Sequence, residues 1–452
     1  MLTVLVRAFR VPELRKKMLF TLAVMVLFRL GQVLPAPGVN VVAVRECLSG
    51  TRGGFQDLLQ LFSGGAMLKL SVFALGIMPY ITASIVVQLL TAMIPRLEAL
   101  RKEGQQGQAK ITQYTRYLTV ALAVLNATTV VSLARAGRIF PDCARPLLHD
   151  QSPLAVVVIV ATMVAGTSVV MWLGELVTER GIGNGMSILI FTQVIAVFPS
   201  YVSNIFAVSP LAVAAMLVAG VFLVAAVVFM EQAQRRIPVQ YAKRVVGRRM
   251  YGGTSTYLPL KVNQAGIVPV IFTSSLLYLP QLATQLLDGR GPVAEWLARY
   301  LVSGDHPVYI TAYLLLIAAF TYFYVSITFN PEEVAENMKQ YSGFVPGIRP
   351  GRPTAEYLRF VLSRLTAPGA IYLGTLSLIP IIAFVILRDP STQQNFPFGG
   401  TTLIIMVGVG LDTVKQIEAQ VEQRTYKGFL RGSSARIAPR RRPAVRGRGR
   451  AA

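Results

Sequence analysis

Runs of about twenty apolar residues recur along this chain, separated by polar stretches, and each run is long enough to cross a hydrocarbon core of about 30 Å as a helix. Ten such spans are predicted, at residues 18–34, 72–93, 117–133, 154–177, 187–207, 211–230, 265–286, 308–328, 369–387 and 401–421. The run at 211–230 carries no charge, whereas the last holds Asp412 and Lys415 near its end. Pro79, Pro199 and Pro269 fall inside the second, fifth and seventh, where a helical bundle tolerates proline as a kink. The fold class that follows is an all-α membrane protein.

Three stretches break the pattern. Residues 55–70 (FQDLLQLFSGGAMLKL) are too short and polar to cross a bilayer, yet too apolar for an ordinary loop. Phe55, Leu58, Leu59, Leu61 and Phe62 supply the apolar positions before Gly64 and Gly65 break the helix. Periodicity leaves two readings open, an interfacial or re-entrant helix packed on the bundle and a short movable plug inside a cavity. The other two are long polar segments, 231–263 with QRRIPVQYAKRVVGRRMYGG and 330–368 with FVPGIRPGRP. Long loops in compact proteins are functional or disordered, and turn chemistry with spaced aromatics favours ordered, protruding loops that dock a partner. Loops that are merely solvated are the alternative.

Composition agrees with the membrane reading. Charged residues make up 14% of the chain and hydrophobic ones 53%, against about 25% charged in soluble domains. The charges also fix a topology. With the N-terminus cytoplasmic, 34 of the 44 Lys and Arg residues fall on the cytoplasmic side and 8 on the other, as the positive-inside rule requires. Arg29 and Lys69 lie in or against the membrane. Both termini are then cytoplasmic, the net charge of +23 reflects topology and anionic lipid, and contact with ribosomal RNA is the rival reading. The basic N-terminus (1–17) runs into the first span without a small-residue cleavage site, so no cleavable signal is expected. The Arg-rich end, from Arg431 to Arg450, reads as a disordered tail.

Catalytic chemistry is not apparent. GIGNG at 181–185 follows a span instead of a strand and lacks the Lys-Ser/Thr of a phosphate loop, so it reads as a tight turn. No Ser-His-Asp set, HExxH motif or intramembrane carboxylate pair emerges, which disfavours an enzyme and a proton-coupled transporter. Two His and two Cys far apart suggest no metal site, and no cofactor is expected. Cys47 and Cys143 fall in predicted outside loops, where a bridge can persist; a disulfide and two free thiols are both open readings.

Six ordered strings carry a resemblance. LFSGGAMLKLSVFALGIMPYITASIVVQLL (61–90), EGQQGQAKITQYTRY (103–117), WLGELVTERGIGNG (172–185), QRRIPVQYAKR (234–244), YLPLKVNQAGIVPVIF (257–272) and FVPGIRPG (344–351) resemble the SecY family, and the likeness runs from residue 9 to about 429. It implies ten transmembrane helices in two pseudo-symmetric five-helix halves, residues 18–207 and 208–421, around a central pore with a short plug helix. It implies passage of unfolded preproteins, recognised by their signal sequences, across the bacterial plasma membrane. Hydrophobic segments would leave sideways into lipid between the second and seventh helices, flanked by the third and eighth.

Carried over by position, the family's apolar pore ring falls on Ile77, Ile81, Met186, Ile190, Ile271 and Ile405. Met186 departs from the usual isoleucine, and its flexible thioether can still fill the ring. The docking loops imply contacts with the SecA motor ATPase and the ribosome through Arg236, Lys243, Arg248, Arg249 and Arg349. SecE and SecG complete the implied heterotrimer, and membrane lipids surround it.

Overall fold

The computed structural model describes residues 8–9, 11–50, 63–137, 147–150, 152–206, 210–241, 244–246, 249–251, 255–286, 291–302, 306–387 and 400–435. A helix lies at every predicted span. The first part of the chain forms α1 (Pro12–Val33), α2 (Val41–Gly50), α3 (Met78–Met93), α4 (Pro95–Lys102), α5 (Gln105–Arg135), α6 (Pro153–Arg180) and α7 (Gly185–Phe206). The rest forms α8 (Pro210–Gln232), α9 (Val268–Leu286), α10 (Pro292–Leu297), α11 (Pro307–Thr328), α12 (Pro331–Gln340), α13 (Arg352–Leu387) and α14 (Gly400–Ala435). Among the described residues, three helical stretches are long and apolar enough to cross a membrane: Gln105–Arg135, Pro153–Arg180 and Pro307–Gln340. A fourth is the pair Met78–Thr91 and Pro95–Lys102, bent by 98°. That bend has a local cause. Ile94 precedes Pro95 and is extended at φ −102°, ψ 114°, because the proline ring excludes the helical region for its predecessor.

Two of the predicted kinks are helix starts. Pro79 stands in the first turn of α3 and Pro269 is the second residue of α9, where a missing N–H costs nothing because it would have no intrahelical acceptor. Pro199 does lie inside α7, and Pro280 inside α9 is a further internal proline. The second span also starts later than its hydropathy, since residues 72–77 form turns before α3. Two helices outrun their predicted spans. The helix α13 begins at Arg352, and α14 continues to Ala435, so the first residues of the predicted tail, from Arg431, are helical; residues 436–452 lie outside the described set. Good helix formers such as Gln, Glu and Lys supply the local preference there.

Several threonine hydroxyls buried in the bundle are satisfied within their own helices, whereas the buried Ser71, Tyr372 and Ser377 hydroxyls have no hydrogen-bond partner among the described residues. Thr91, Thr119 and Thr321 donate to the carbonyls of Val87, Thr115 and Ile317 at 2.7, 2.7 and 2.6 Å. Such back-bonding removes the desolvation penalty without an interhelical partner.

Packing builds two groups of helices and a seam. α1, α3, α5, α6 and α7 pack among themselves, as α3 on α5, α5 on α6, α6 on α7, and α1 on both α6 and α7. In the second group α9 packs on α11, α11 on α13, α13 on α14 and α14 on α8. The helix α7 meets α14 and α8, which joins the groups. Phe272 of α9 stacks on Phe320 of α11 at 5.0 Å.

The all-α expectation is corrected in the long loops. Gln234–Tyr241 (β1), Arg244–Val246 (β2), Arg249–Tyr251 (β3) and Ser255–Lys261 (β4) are strands, and Gly343–Phe344 (β5) from the other loop joins them. β1 and β4 pair antiparallel from Gln234 with Lys261 to Gln240 with Ser255, and β5 adds to the far edge of β1 at Gln240 and Tyr241. Pro238, which has no N–H to donate, falls where that far edge of β1 has not yet met β5. Alternation buries Ile237 and Val239 on β1, and Ile237 packs with Leu260, Val345, Leu358 and Val361 in a small core of their own. Strands from the two long loops thus form one three-stranded sheet, β4-β1-β5, that packs on the start of α13, while β2 and β3 pair separately.

Candidate functional site

The six side chains expected to form a ring come together. Ile77 and Ile81 stand at the start of α3, Met186 and Ile190 on the first turns of α7, Ile271 on α9, and Ile405 on α14. All six belong to one apolar cluster, along with Phe28, Phe73, Ile85, Leu189 and Val409. Ile77 is 0% exposed, Ile271 5% and Ile405 3%, while Met186 and Ile190 are partly buried. The cluster is fed by both helix groups, so it sits at the seam and not inside either one.

Local backbone chemistry puts these residues in place. Gly76 turns the chain at φ +56° just before Ile77, and Pro79 then starts the helix. The GIGNG segment is the tight turn the sequence predicts, and Thr178 Oγ1 accepts from Gly185 N at 2.9 Å across it. A Cβ on Gly174 would lie 2.7 Å from Met186 Sδ and 3.8 Å from Ile77 Cδ1. The missing side chain therefore leaves room for the Met186 thioether against α6.

The neck of the three-stranded sheet is tied to α8 and α14. Glu231, buried in the last turn of α8, accepts from Asn263 Nδ2 at 2.7 Å, and Lys261 meets Asp412 of α14 at 3.2 Å. Asn263 lies five residues before α9, which carries Ile271. Farther out, Arg236 is exposed and stacks over Tyr257 at 4.8 Å. Arg349 is exposed in the turn before α13, and its carbonyl accepts from Thr354 Oγ1 at 2.8 Å. Arg249 opens β3; Lys243 and Arg248 lie outside the described residues.

The plug stretch is described only from Ser63 onward; Phe55, Leu58, Leu59, Leu61 and Phe62 lie outside the described residues. Gly64 and Gly65 both adopt the left-handed conformation, at φ +64° and +79°, which ends any helix arriving there. Cys47 is buried on α2 and disulfide-bonded, and Cys143 lies outside the described residues. Glu175, near the end of α6, is an acid to which the sequence assigns no role. The structure gives it a partner, since Arg116 of α5 donates through Nε and Nη2 to its two carboxylate oxygens at 2.9 and 2.7 Å. Arg116 stands just before the predicted third span and Glu175 near the end of the fourth, so both fall at the same membrane face.

An apolar cluster where two groups of packed helices meet, with a small sheet on the start of α13, defines the class: a polytopic helical membrane protein. Solved structures agree on the fold. A protein-conducting channel superposes with a TM-score of 0.63 at 18% identity over 89% of this chain and 91% of that one. Sec61 in the canine ribosome-channel complex gives 0.60 at 18% identity, with 89% and 91% covered. A SecY structure whose plug domain is described as stabilising the closed state and maintaining a membrane seal gives 0.61 at 19% identity, again with 89% and 91% covered.

The chain belongs to the SecY family, whose family model matches residues 71–414. The protein translocase subunit SecY of Streptomyces galbus is 58% identical over 441 residues, covering 95% of this chain and all of that one. Its counterpart from Mycobacterium bovis is 56% identical over 442 residues, with the same coverage. This is a translocase channel subunit and not a catalyst.

Proposed function

We propose that this chain is the pore subunit of a bacterial plasma-membrane translocase that crosses the bilayer ten times, with both termini cytoplasmic. Its halves would be residues 18–207 and 208–421, preceded by the basic segment 1–17 and followed by the tail 422–452. An unfolded polypeptide passes between Ile77, Ile81, Met186, Ile190, Ile271 and Ile405. The observation that carries this reading is that all six, from four separate helices, share one uncharged cluster at the seam.

The physics of the ring is simple. An apolar constriction excludes water by dewetting and so blocks ions without a rigid seal. Flexible aliphatic side chains can then close around a passing chain. Asp or Lys costs about 2.5–3.5 kcal/mol at mid-membrane, whereas Leu or Ile gains a few tenths of a kcal/mol. A seam opening between α3 and α9 therefore lets apolar segments partition into lipid while polar chain continues across. The stretch 55–70 is the plug that fills the outer funnel at rest.

The sheet of the two long loops, with Arg236, Lys243, Arg248, Arg249 and Arg349, is the docking face for the SecA motor and the ribosome in turn. SecE and SecG complete the heterotrimer. The test is reconstitution of the complex in liposomes with SecA and ATP. A presequence-bearing substrate is expected to become protease-protected; a substrate left wholly digestible contradicts the channel reading.

The chain has two cysteines, so we pair Cys47 with Cys143. A non-reducing digest is expected to contain one peptide mass joining the two, lost on reduction. Free thiols at both positions would exclude the pair. Cys47→Ser is expected to lower stability by about 2–4 kcal/mol, read as a lower unfolding temperature in detergent.

A further inference from the structure

Arg29 is a charge in the middle of an otherwise apolar stretch, and intramembrane charges have specific partners. Its Nη1 donates to Gln32 Oε1 at 2.9 Å and to the main-chain oxygen of Gly64 at 3.0 Å. Gln32 Nε2 in turn donates to the main-chain oxygen of Ser63 at 3.2 Å. Gln32 and Ser63 are 1% and 2% exposed, so their bond is made away from water, while the half-buried Arg29 guanidinium adds two charge-assisted bonds beside it.

Both carbonyls belong to the turn at Ser63–Gly65, inside the plug stretch, where Gly64 and Gly65 are left-handed. Beyond that turn the chain is joined to the end of α1 through main-chain bonds. Ala36 N donates to Leu70 O at 3.0 Å, Val72 N to Leu34 O at 2.9 Å and Phe73 N to Gly31 O at 3.2 Å. The contrast between the two attachments is mechanical. Main-chain pairing holds until a helix moves, but a side-chain clamp lets go when two side chains change rotamer. The turn is also fitted to the clamp, because a Cβ on Gly64 would lie 3.2 Å from both terminal atoms of Gln32.

We propose that Arg29 and Gln32 are positioning residues that clamp the Ser63–Gly64 turn to α1 in the resting channel and release it when the channel opens. This rests on the plug and ring reading above. The clamp sets where the chain arriving at Ser63 is held, and the main-chain bonds at residues 70–73 keep the released segment anchored.

The test uses the complete heterotrimer. Gln32→Met keeps the side-chain volume and removes both the bond to Ser63 and the acceptor for Arg29; Arg29→Gln is the second variant, read if the first fails to assemble. The first readout is resting conductance in planar bilayers, with Ile271→Gly as the positive control. The second is labelling of Ser63→Cys by a membrane-impermeant thiol reagent added from the outside. Either clamp variant is expected to raise both by about tenfold, the effect of losing one charged buried hydrogen bond. Parental conductance and labelling in a clamp variant, while Ile271→Gly leaks, overturn the clamp alone. If Ile271→Gly is silent as well, the ring reading fails with it.

Discussion

Channels in which Ile77, Ile190 and Ile271 are all replaced by glycine are expected to conduct ions at rest, at least about tenfold above the parent. The three side chains come from three segments and enter one cluster, Ile77 wholly buried and Ile271 nearly so. Removing them takes away the apolar surface that keeps water out of the constriction, and a wetted passage of the same width carries ions. Planar-bilayer recordings on the purified complex give the answer, with size-exclusion chromatography to establish that the triple variant assembles. Background conductance in an assembled variant would remove these residues from the ring.

Arg349→Glu is expected to cut motor-driven export to about a tenth or less, because reversing a charge at a docking surface costs a few kcal/mol, at 1.4 kcal/mol per factor of ten. Arg349 is exposed, so the substitution leaves no cavity and no buried group unpaired. Its turn is held independently, by Ile348 N donating to Val345 O at 3.0 Å and by Thr354 on the Arg349 carbonyl. The protein should therefore reach the membrane in normal amount and fail at the step that needs the motor. Export into inverted vesicles, scaled to the quantity of assembled complex, measures it. Export at the parental rate would refute the docking role.

Much of the helical skeleton was legible in the sequence because a membrane demands long apolar runs, and hydropathy reports such runs directly. Helix ends were less so. Hydropathy over 72–93 continues through the turns at 72–77, since a turn packed against α1 is as apolar as a helix there. Pro79 and Pro269 read as kinks for the same reason: apolar residues precede them, so nothing in the pattern marks them as first-turn prolines. The start of α13 at Arg352 is invisible to hydropathy because residues 352–368 mix charged positions with apolar ones, of which Leu358 and Val361 pack against the sheet.

The sheet was hidden by distance. Gln240 pairs with Phe344, about a hundred residues away, and β5 is two residues long, so no local signal marks it. Alternation in RRIPVQ was available for β1, and it was read only as an ordered loop. The ring shows a different limit. An isoleucine in a membrane helix reads as core packing, and only likeness to a family singled these six out, whereas their convergence in one cluster is a property of the fold. Arg29 stood out as a charge in an apolar run, but its partners did not, because they are main-chain oxygens and a glutamine with no pattern around it.

The central claim is that a translocating polypeptide passes among these six residues. A photoreactive amino acid placed at Ile77 and, separately, at Ile405 tests it on a substrate stalled midway through the reconstituted complex. Cross-links to the stalled polypeptide from both positions, dependent on ATP and absent from the resting channel, are the predicted result. Cross-links from both positions that reach only neighbouring helices or lipid, with the substrate stalled and protected, would contradict it.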